Sequence, residues 1–365
     1  MSQGVIKTDL PLLFACTGLL LFGLILLTSA SAPVGLDRFG DSYFFIKRQF
    51  LYGVFPGLLL FFVALRMPSE YIKKCVFPVF CGVLVLMLLV FVPGVGSSFD
   101  TGNRSWITLF GFSLQPSEIL KLVLILFAAL YLSRRKNLSH FEEGFLPSLV
   151  MLSLPLLLVL MQSDVGTLSV LFVIIVAMLF FAGARMVHIG LLCAIGLVGI
   201  SVLIAIAPYR LARFTTFLHP ELDPQGQGYH INQAYLAIGS GGLFGRGLGH
   251  SLQKFQYLPE VHADSIFAVL AEEMGYIVSV LFLILLVFII VRMYRIARLQ
   301  DDQFAQLAVA GIATWIAVQS FLNIGAIVGL LPLTGVPLPF VSHGGTALMT
   351  ALAGVGIVLN YSRRV

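Results

Sequence analysis

Charge is what this sequence has least of. Only 11% of its 365 residues are Asp, Glu, Lys or Arg, against about 25% in soluble domains. So few charges could not cover the surface of a soluble helical globule, which excludes that class. Cysteine is scarce as well: Cys16, Cys75, Cys81 and Cys193 all lie in or beside apolar runs. Neither a disulfide framework nor a zinc site is expected from them. The N-terminus lacks a cleavage site followed by a soluble domain, and its first apolar run, about Leu10 to Ser29, reads as a retained span. No strong internal repeat suggests the inverted-repeat plan of many transporters. The glycine-rich run from Gly239 to Gly249 does not match the Walker phosphate loop and follows no strand, so no nucleotide is expected. A flexible backbone around a lipid-linked substrate suits that run better.

Apolar residues are abundant, at 59%. Runs of about twenty, each able to cross the hydrocarbon core as a helix, recur along the chain. The sequence predicts an all-α, polytopic membrane protein, one unit over residues 1–365 with about ten transmembrane helices. They fall near 10–32, 49–66, 75–94, 117–133, 146–162, 165–183, 187–207, 264–291, 304–331 and 339–360. A long polar segment, about 208–263, separates the seventh from the eighth; loops of that length are usually functional. The formal charge of +5 reads as basic residues holding loops in the cytoplasm rather than as a nucleic-acid surface. Of the 22 Lys and Arg, 13 fall in one set of loops and ends, from Lys7 through Arg66, Arg134 and Arg292 to Arg364. Eight lie in the opposite, much longer segments, and Lys121 lies within a span. The denser set predicts cytoplasmic termini and an extracytoplasmic long segment.

Ionisable residues within spans are expensive and default to functional hypotheses. Glu118 and Lys121 follow Gln115-Pro116-Ser117 and share one helix face, three residues apart. They read either as a structural ion pair or as part of a polar cavity. Asp164, in Gln162-Ser163-Asp164-Val165-Gly166-Thr167, reads as a helix cap or as a cavity wall. Glu260, His262 and Asp264 crowd the end of the long segment, in Tyr257-Leu258-Pro259-Glu260-Val261-His262-Ala263-Asp264. Asp264 there is a cap or a general base. The loop histidines lack a tight ligand pattern, so no protein metal site is assigned. Pro332 to Thr346, rich in Pro and Gly, reads as a re-entrant stretch, a broken helix start facing the outer cavity, or a tight outer turn.

These motifs, with Asn103-Arg104-Ser105-Trp106, Gly247-Leu248-Gly249-His250-Ser251-Leu252-Gln253-Lys254 and Pro337-Leu338-Pro339-Phe340-Val341-Ser342-His343-Gly344-Gly345, resemble the SEDS family of FtsW, RodA and SpoVE. The resemblance covers almost the whole chain in order. It implies a peptidoglycan glycosyltransferase polymerising lipid II at the outer face of the bacterial cytoplasmic membrane. It further implies a class B penicillin-binding protein and other divisome or elongasome proteins as partners. Asp264 matches the family's essential aspartate, Glu118 and Lys121 its polar pair, and Asp164 its aspartate after the fifth span. The Gly-Leu-Gly and Tyr-Leu-Pro-Glu motifs look more like FtsW and SpoVE than RodA, favouring a role in division over elongation. His262-Ala263-Asp264-Ser265 and Ser342-His343-Gly344-Gly345-Thr346 depart from the usual His-Thr-Asp-Phe and Ser-Tyr-Gly-Gly-Ser, as does the extra Ser105. These departures put substrate or partner preference in doubt, not the activity.

On that reading Asp264 accepts the proton of an acceptor sugar's 4-hydroxyl. Arg104, Arg213, Arg246 and Lys254 are candidates to hold the leaving pyrophosphate, with Glu260, His262 and Ser342 also lining the substrate site. A divalent cation, Mg or Mn, bound with the pyrophosphate fits the same chemistry. A lipid II flippase is the rival reading. It needs a polar path to both leaflets, whereas charge here concentrates on one side.

Overall fold

The computed structural model describes residues 8–97, 105–109, 112–135, 137–220, 226–255 and 257–363. Helices occupy all ten stretches where apolar runs predicted spans. First come α1 (Leu10–Phe39), α2 (Phe44–Arg66), α3 (Ser69–Leu89) and α4 (Pro116–Leu132). Then follow α5 (Phe141–Met161), α6 (Val165–Phe181) and α7 (Met186–Ile206). Two shorter helices, α8 (Pro208–Leu218) and α9 (Gln227–Ser240), lie within the long polar segment. The chain ends on α10 (Ile266–Arg298), α11 (Gln303–Ile327) and α12 (Gly345–Ser362). Among the described residues, eight helices are long and apolar enough to cross a membrane. The other two predicted spans, α4 and α6, have 17 residues each. Large apolar side chains point outward, with Phe14, Val187 and Ile206 exposed by 69%, 77% and 74%. A belt of that kind needs lipid around it, and the chain is a multi-pass membrane protein.

The helix ends follow local chemistry. Asp9 caps α1 by accepting the Leu12 N–H at 2.9 Å, and its carboxylate also pairs with Arg292 of α10 at 2.9 Å. Arg363 Nε donates to Thr8 Oγ1 at 2.8 Å. Residues near the two termini therefore share one end of the bundle. Asp302 caps α11 and pairs with Lys73 at 2.6 Å at that same end.

α11 and α12 form the buried centre, with α11 packed against α4, α6, α10 and α12. Small residues bring α2 and α12 together, as in many membrane bundles. A Cβ on Gly57 would lie 2.7 Å from Leu352 Cδ1, and one on Gly356 would lie 2.6 Å from the Phe61 carbonyl oxygen. α7 is the exception: Leu192 is its single buried residue, and it packs mainly on α6 and α8.

Three departures from the expected pattern bear on the site. The all-α expectation omits a small antiparallel sheet between α3 and α4. Its strands are β1 (Gly96–Ser97), β2 (Trp106–Leu109) and β3 (Phe112–Leu114), in that order. The aromatic and β-branched run in β2 suits a pleated, half-buried surface. Second, the eighth predicted span is broken. Gly275 of α10 has φ 75° and ψ −176°, a region essentially reserved for glycine. Third, the glycine-rich run is a wedge rather than a flexible loop. It enters the break, and the Arg246 and Gly247 N–H groups donate to the Glu272 and Glu273 carbonyls at 3.0 and 2.9 Å. The Tyr276 and Ile277 N–H groups donate back to the Gly242 and Leu243 carbonyls at 2.9 and 3.2 Å. A Cβ on Gly245 would lie 2.2 Å from the Glu273 carbonyl oxygen, so glycine is required by contact.

Between α11 and α12 the chain is irregular over 328–344, where Pro332, Pro337 and Pro339 forbid helical bonding. Val336, Leu338, Phe340, Val341 and Ser342 are nonetheless buried. α1 crosses this stretch at Gly23, where a Cβ would lie 2.4 Å from the Phe340 carbonyl oxygen. α6 meets it at Gly166, where a Cβ would lie 2.6 Å from the Thr334 carbonyl oxygen. Irregular backbone is thus enclosed by protein, so the stretch is not a turn on the surface.

Candidate active site

Asp264 sits on a turn that ends one residue before α10. Glu260 opens the turn with φ 48°, and its carbonyl accepts the Ala263 and Ser265 N–H groups at 2.9 and 3.3 Å. Next come three peptides held from outside. The His343 N–H donates to the His262 carbonyl at 2.8 Å. Ser342 Oγ donates to the Ala263 carbonyl at 2.5 Å and Asn323 Nδ2 to the Asp264 carbonyl at 3.0 Å. Ser265 Oγ donates to the Pro259 carbonyl at 2.8 Å and meets His230 Nε2 at 2.5 Å.

Burial pushes the Asp264 carboxyl up to about 7, and the Glu260 carboxylate adds to the rise. Arg213 and the peptide N–H groups of Asp264 and Ser265 pull the other way. Asp264 Oδ1 is buried without a partner. A carboxyl that exchanges its proton near neutral pH, with an open lone pair, suits a general base. The neighbouring imidazoles are held neutral. Burial, then Arg213, lowers His230 to about 4. Burial, then His262 and Arg48, lowers His343 to about 3. Burial also lowers His262, opposed by Glu260 and aided by Arg38. Both His262 and His343 lie against Phe45, with ring centroids 4.2 and 5.2 Å away. His262 Nε2 is 3.7 Å from Glu260 Oε2, on a side chain 55% exposed.

A buried polar row supports this turn. Lys121 Nζ donates to Glu118 Oε1 and to Gln319 Oε1, both at 2.7 Å. Gln319 Oε1 also accepts from Trp315 Nε1 at 2.6 Å, and its Nε2 donates to the Pro337 carbonyl at 2.9 Å. Asn323, one turn along α11, donates to the Val336 carbonyl at 2.9 Å as well as to Asp264. Glu118 and Lys121 therefore lock α4 to α11 and to the irregular stretch behind Asp264. Asp164 caps α6: the Thr167 N–H donates to Oδ1 at 2.9 Å and Thr167 Oγ1 to Oδ2 at 2.8 Å.

The predicted cations are dispersed. Arg213 stands exposed on α8, and its charge reaches Asp264 and His230. Arg246 is half-exposed, with Nε 3.9 Å from Glu272 Oε1. Lys254 is buried and donates to Glu273 Oε1 at 2.7 Å and to Ser29 Oγ at 3.1 Å. Its charge is neutralised there, so it is not open to a pyrophosphate in this conformation. Arg104 lies outside the described residues. Asn323, Phe45, His230, Glu272 and Glu273 escaped the sequence analysis. The two glutamates, buried in an apolar run, and Asn323, amid another, were detectable as polar residues inside spans.

Two cavities lie nearby. One of about 140 Å³ is lined by Asp264, Asn323, Leu333, Thr334 and Val336. Another of about 310 Å³ lies under Trp315, Gln319 and Ser342. These volumes include space open to the surroundings, and neither cavity has room for more than about one water molecule, so the space beside Asp264 is closed. Among the described residues no group of three or more His, Cys, Asp or Glu side chains converges as a metal set.

Known proteins resemble the chain along its whole length. The FtsW, RodA and SpoVE family model, described as "Cell cycle protein", matches residues 10–365. Stage V sporulation protein E of Bacillus subtilis is 43% identical, over 100% of this chain and 99% of that protein. A probable peptidoglycan glycosyltransferase FtsW of Geobacter sp. is 38% identical, over 98% and 97%. Among solved structures, a chain of a work described as "Structural coordination of polymerization and crosslinking by a peptidoglycan synthase complex" superposes with TM-score 0.78 and 26% identity, covering 98% of each chain. The rod shape determining protein RodA of Thermus thermophilus superposes with TM-score 0.71 and 28% identity, over 98% and 97%. The chain therefore belongs to the FtsW, RodA and SpoVE family of cell cycle proteins.

Proposed function

We propose that this chain is a peptidoglycan glycosyltransferase that polymerises lipid II into β-1,4 glycan strands at the outer face of the bacterial cytoplasmic membrane. One observation carries the reading: a buried carboxyl near pKa 7, with Oδ1 free, at the polar end of a membrane bundle. Asp264 accepts the proton of the acceptor's 4-hydroxyl as that oxygen attacks the donor's anomeric carbon. The bond from that carbon to the pyrophosphate breaks, and its electron pair leaves with the pyrophosphate. Attack opposite the leaving group turns an α-linked donor into a β-linked glycan. Arg213 and Arg246 are the open cations suited to the developing charge. A divalent cation, if used, supplies further charge neutralisation there. The described residues bring together no acidic set to hold it, so its ligands would come from the pyrophosphate oxygens and water.

The closed cavity means that the site must open before a disaccharide enters. A class B penicillin-binding protein is the proposed partner that stabilises the open form. Similarity to FtsW and SpoVE proteins supports a role in septal or spore wall synthesis over elongation. The placement of the basic residues supports cytoplasmic termini. The test supplies lipid II to the purified chain with its partner blocked in transpeptidation. Polymer formation that survives moenomycin is the expected result. Lipid II translocation in liposomes without polymer would instead establish the flippase reading.

A further inference from the structure

The Asp264 carboxyl is not oriented by its own side-chain bonds. Oδ1 has no partner, and the carboxyl receives only the peptide N–H groups of Asp264 and Ser265. Its direction therefore depends on the peptides on either side. Those peptides are gripped from α11 and the irregular stretch after it, through the three successive carbonyls of His262, Ala263 and Asp264. Two of the three donors are side chains. Ser342 Oγ accepts the Leu338 N–H at 2.9 Å, which leaves its own hydrogen for the Ala263 carbonyl. Asn323 Nδ2 bridges the Val336 and Asp264 carbonyls. Ser342 was a substrate-binding candidate, but its hydrogen is already committed to the backbone.

We propose that Asn323 and Ser342 are positioning residues for glycosyl transfer, fixing the peptide of Asp264 so that its carboxyl projects into the site without either side chain touching substrate. The proposal rests on the reading of Asp264 as the general base. Loosening the grip has two consequences. The carboxyl leaves its productive geometry, which lowers kcat while substrate contacts persist. It also reaches water, so its pKa falls toward the ordinary carboxylate range. The charges facing it are Glu260 on its own turn and Arg213 on α8. His230 on α9, His262 and His343 remain neutral near pH 7, and α11 contributes the uncharged Asn323.

The experiment measures kcat and KM against pH with labelled lipid II, using the full chain with its penicillin-binding partner. Wild type, Asn323→Ala, Ser342→Ala and Ser342→Thr are compared, with Asp264→Asn alongside. The expected result for the two alanine variants is a fall in kcat of about 10- to 100-fold with KM within about twofold. Their acidic limb should also move down by about one pH unit. Ser342→Thr, which keeps the hydroxyl, should restore both. A lowered kcat with an unmoved acidic limb, or a raised KM with kcat kept, would overturn the proposal. If Asn323→Ala does not fold, the Ser342 pair decides. Full polymerisation by Asp264→Asn would overturn the base assignment itself, an outcome separable from failure of the positioning claim.

Discussion

Breaking the Glu118–Lys121 pair should be far more damaging than deleting it. Lys121 is 0% exposed and Glu118 2%, with 2.7 Å between Nζ and Oε1. Lys121→Met removes the donor to Glu118 Oε1 and Gln319 Oε1, while Glu118 Oε2 already lacks a partner. A buried charge left unpaired costs about 3–5 kcal/mol. Glu118→Leu strands the ammonium with Gln319 and the Trp315 ring, whose centroid is 5.7 Å away. Its cost should lie near the lower end of that range. The double variant removes both charges and fills the space with apolar atoms, which is often close to neutral. With single costs of about 3–5 and about 3 kcal/mol and a near-neutral double variant, the coupling energy should reach about 6 kcal/mol, above the usual range for contacting residues. Each single variant should lower the apparent Tm by about 6–20 °C. Tryptophan fluorescence in detergent or nanodiscs reads this, because Trp315 shares Gln319 with Lys121. Single variants within about 1 kcal/mol of wild type, or a double variant as damaged as the sum of the singles, would refute the reasoning.

Stability should respond to Asp264 in the opposite sense. Its pKa rises from 3.8 to about 7 on folding, so the folded state holds a proton that the unfolded state releases between those values. Stability falls as pH rises through that window, and the full penalty persists above pH 7. Asp264→Asn should be more stable than wild type by about 2–4 kcal/mol near pH 8 and equal to it near pH 4, in thermal scans across pH. Lys254→Met leaves Glu273 buried and unpaired and should cost about 3–5 kcal/mol in chemical denaturation. Arg246→Ala, which loses a 3.9 Å contact with Glu272 and an exposed 3.4 Å hydrogen bond to the Ser240 carbonyl, should cost about 1 kcal/mol or less. Gly275→Ala places a Cβ 2.2 Å from the Gly245 nitrogen at φ 75° and should cost about 3 kcal/mol or more by the same assay.

Much of this architecture was legible because lipid leaves few options. Every crossing needs an apolar run, and each of the ten runs became a helix. The Glu118–Lys121 pair was legible from its three-residue spacing. The Asp164 cap was one of two readings open to a carboxylate placed just before an apolar run. What stayed hidden depends on contacts between distant segments. Lys254 reads as an open loop cation because its partners, Glu273 and Ser29, lie 19 and 225 residues away. The wedge of Gly241 and Gly245 into α10 cannot be seen in a run that looks merely flexible. Gly275 is an ordinary glycine in an apolar stretch until its backbone is traced. Asn323 looks like a stray polar residue until Asp264 and Val336 arrive on either side of it.

The central claim is that Asp264 takes the acceptor's proton. Its most direct test is the initial rate of lipid II polymerisation by purified, correctly folded wild type and Asp264→Asn, each with its partner blocked in transpeptidation and with moenomycin present. The account predicts a wild-type rate that rises through about pH 7, tracking the carboxyl pushed up to about 7. It also predicts a loss of at least about 100-fold in Asp264→Asn. An undiminished rate in a folded Asp264→Asn would contradict it.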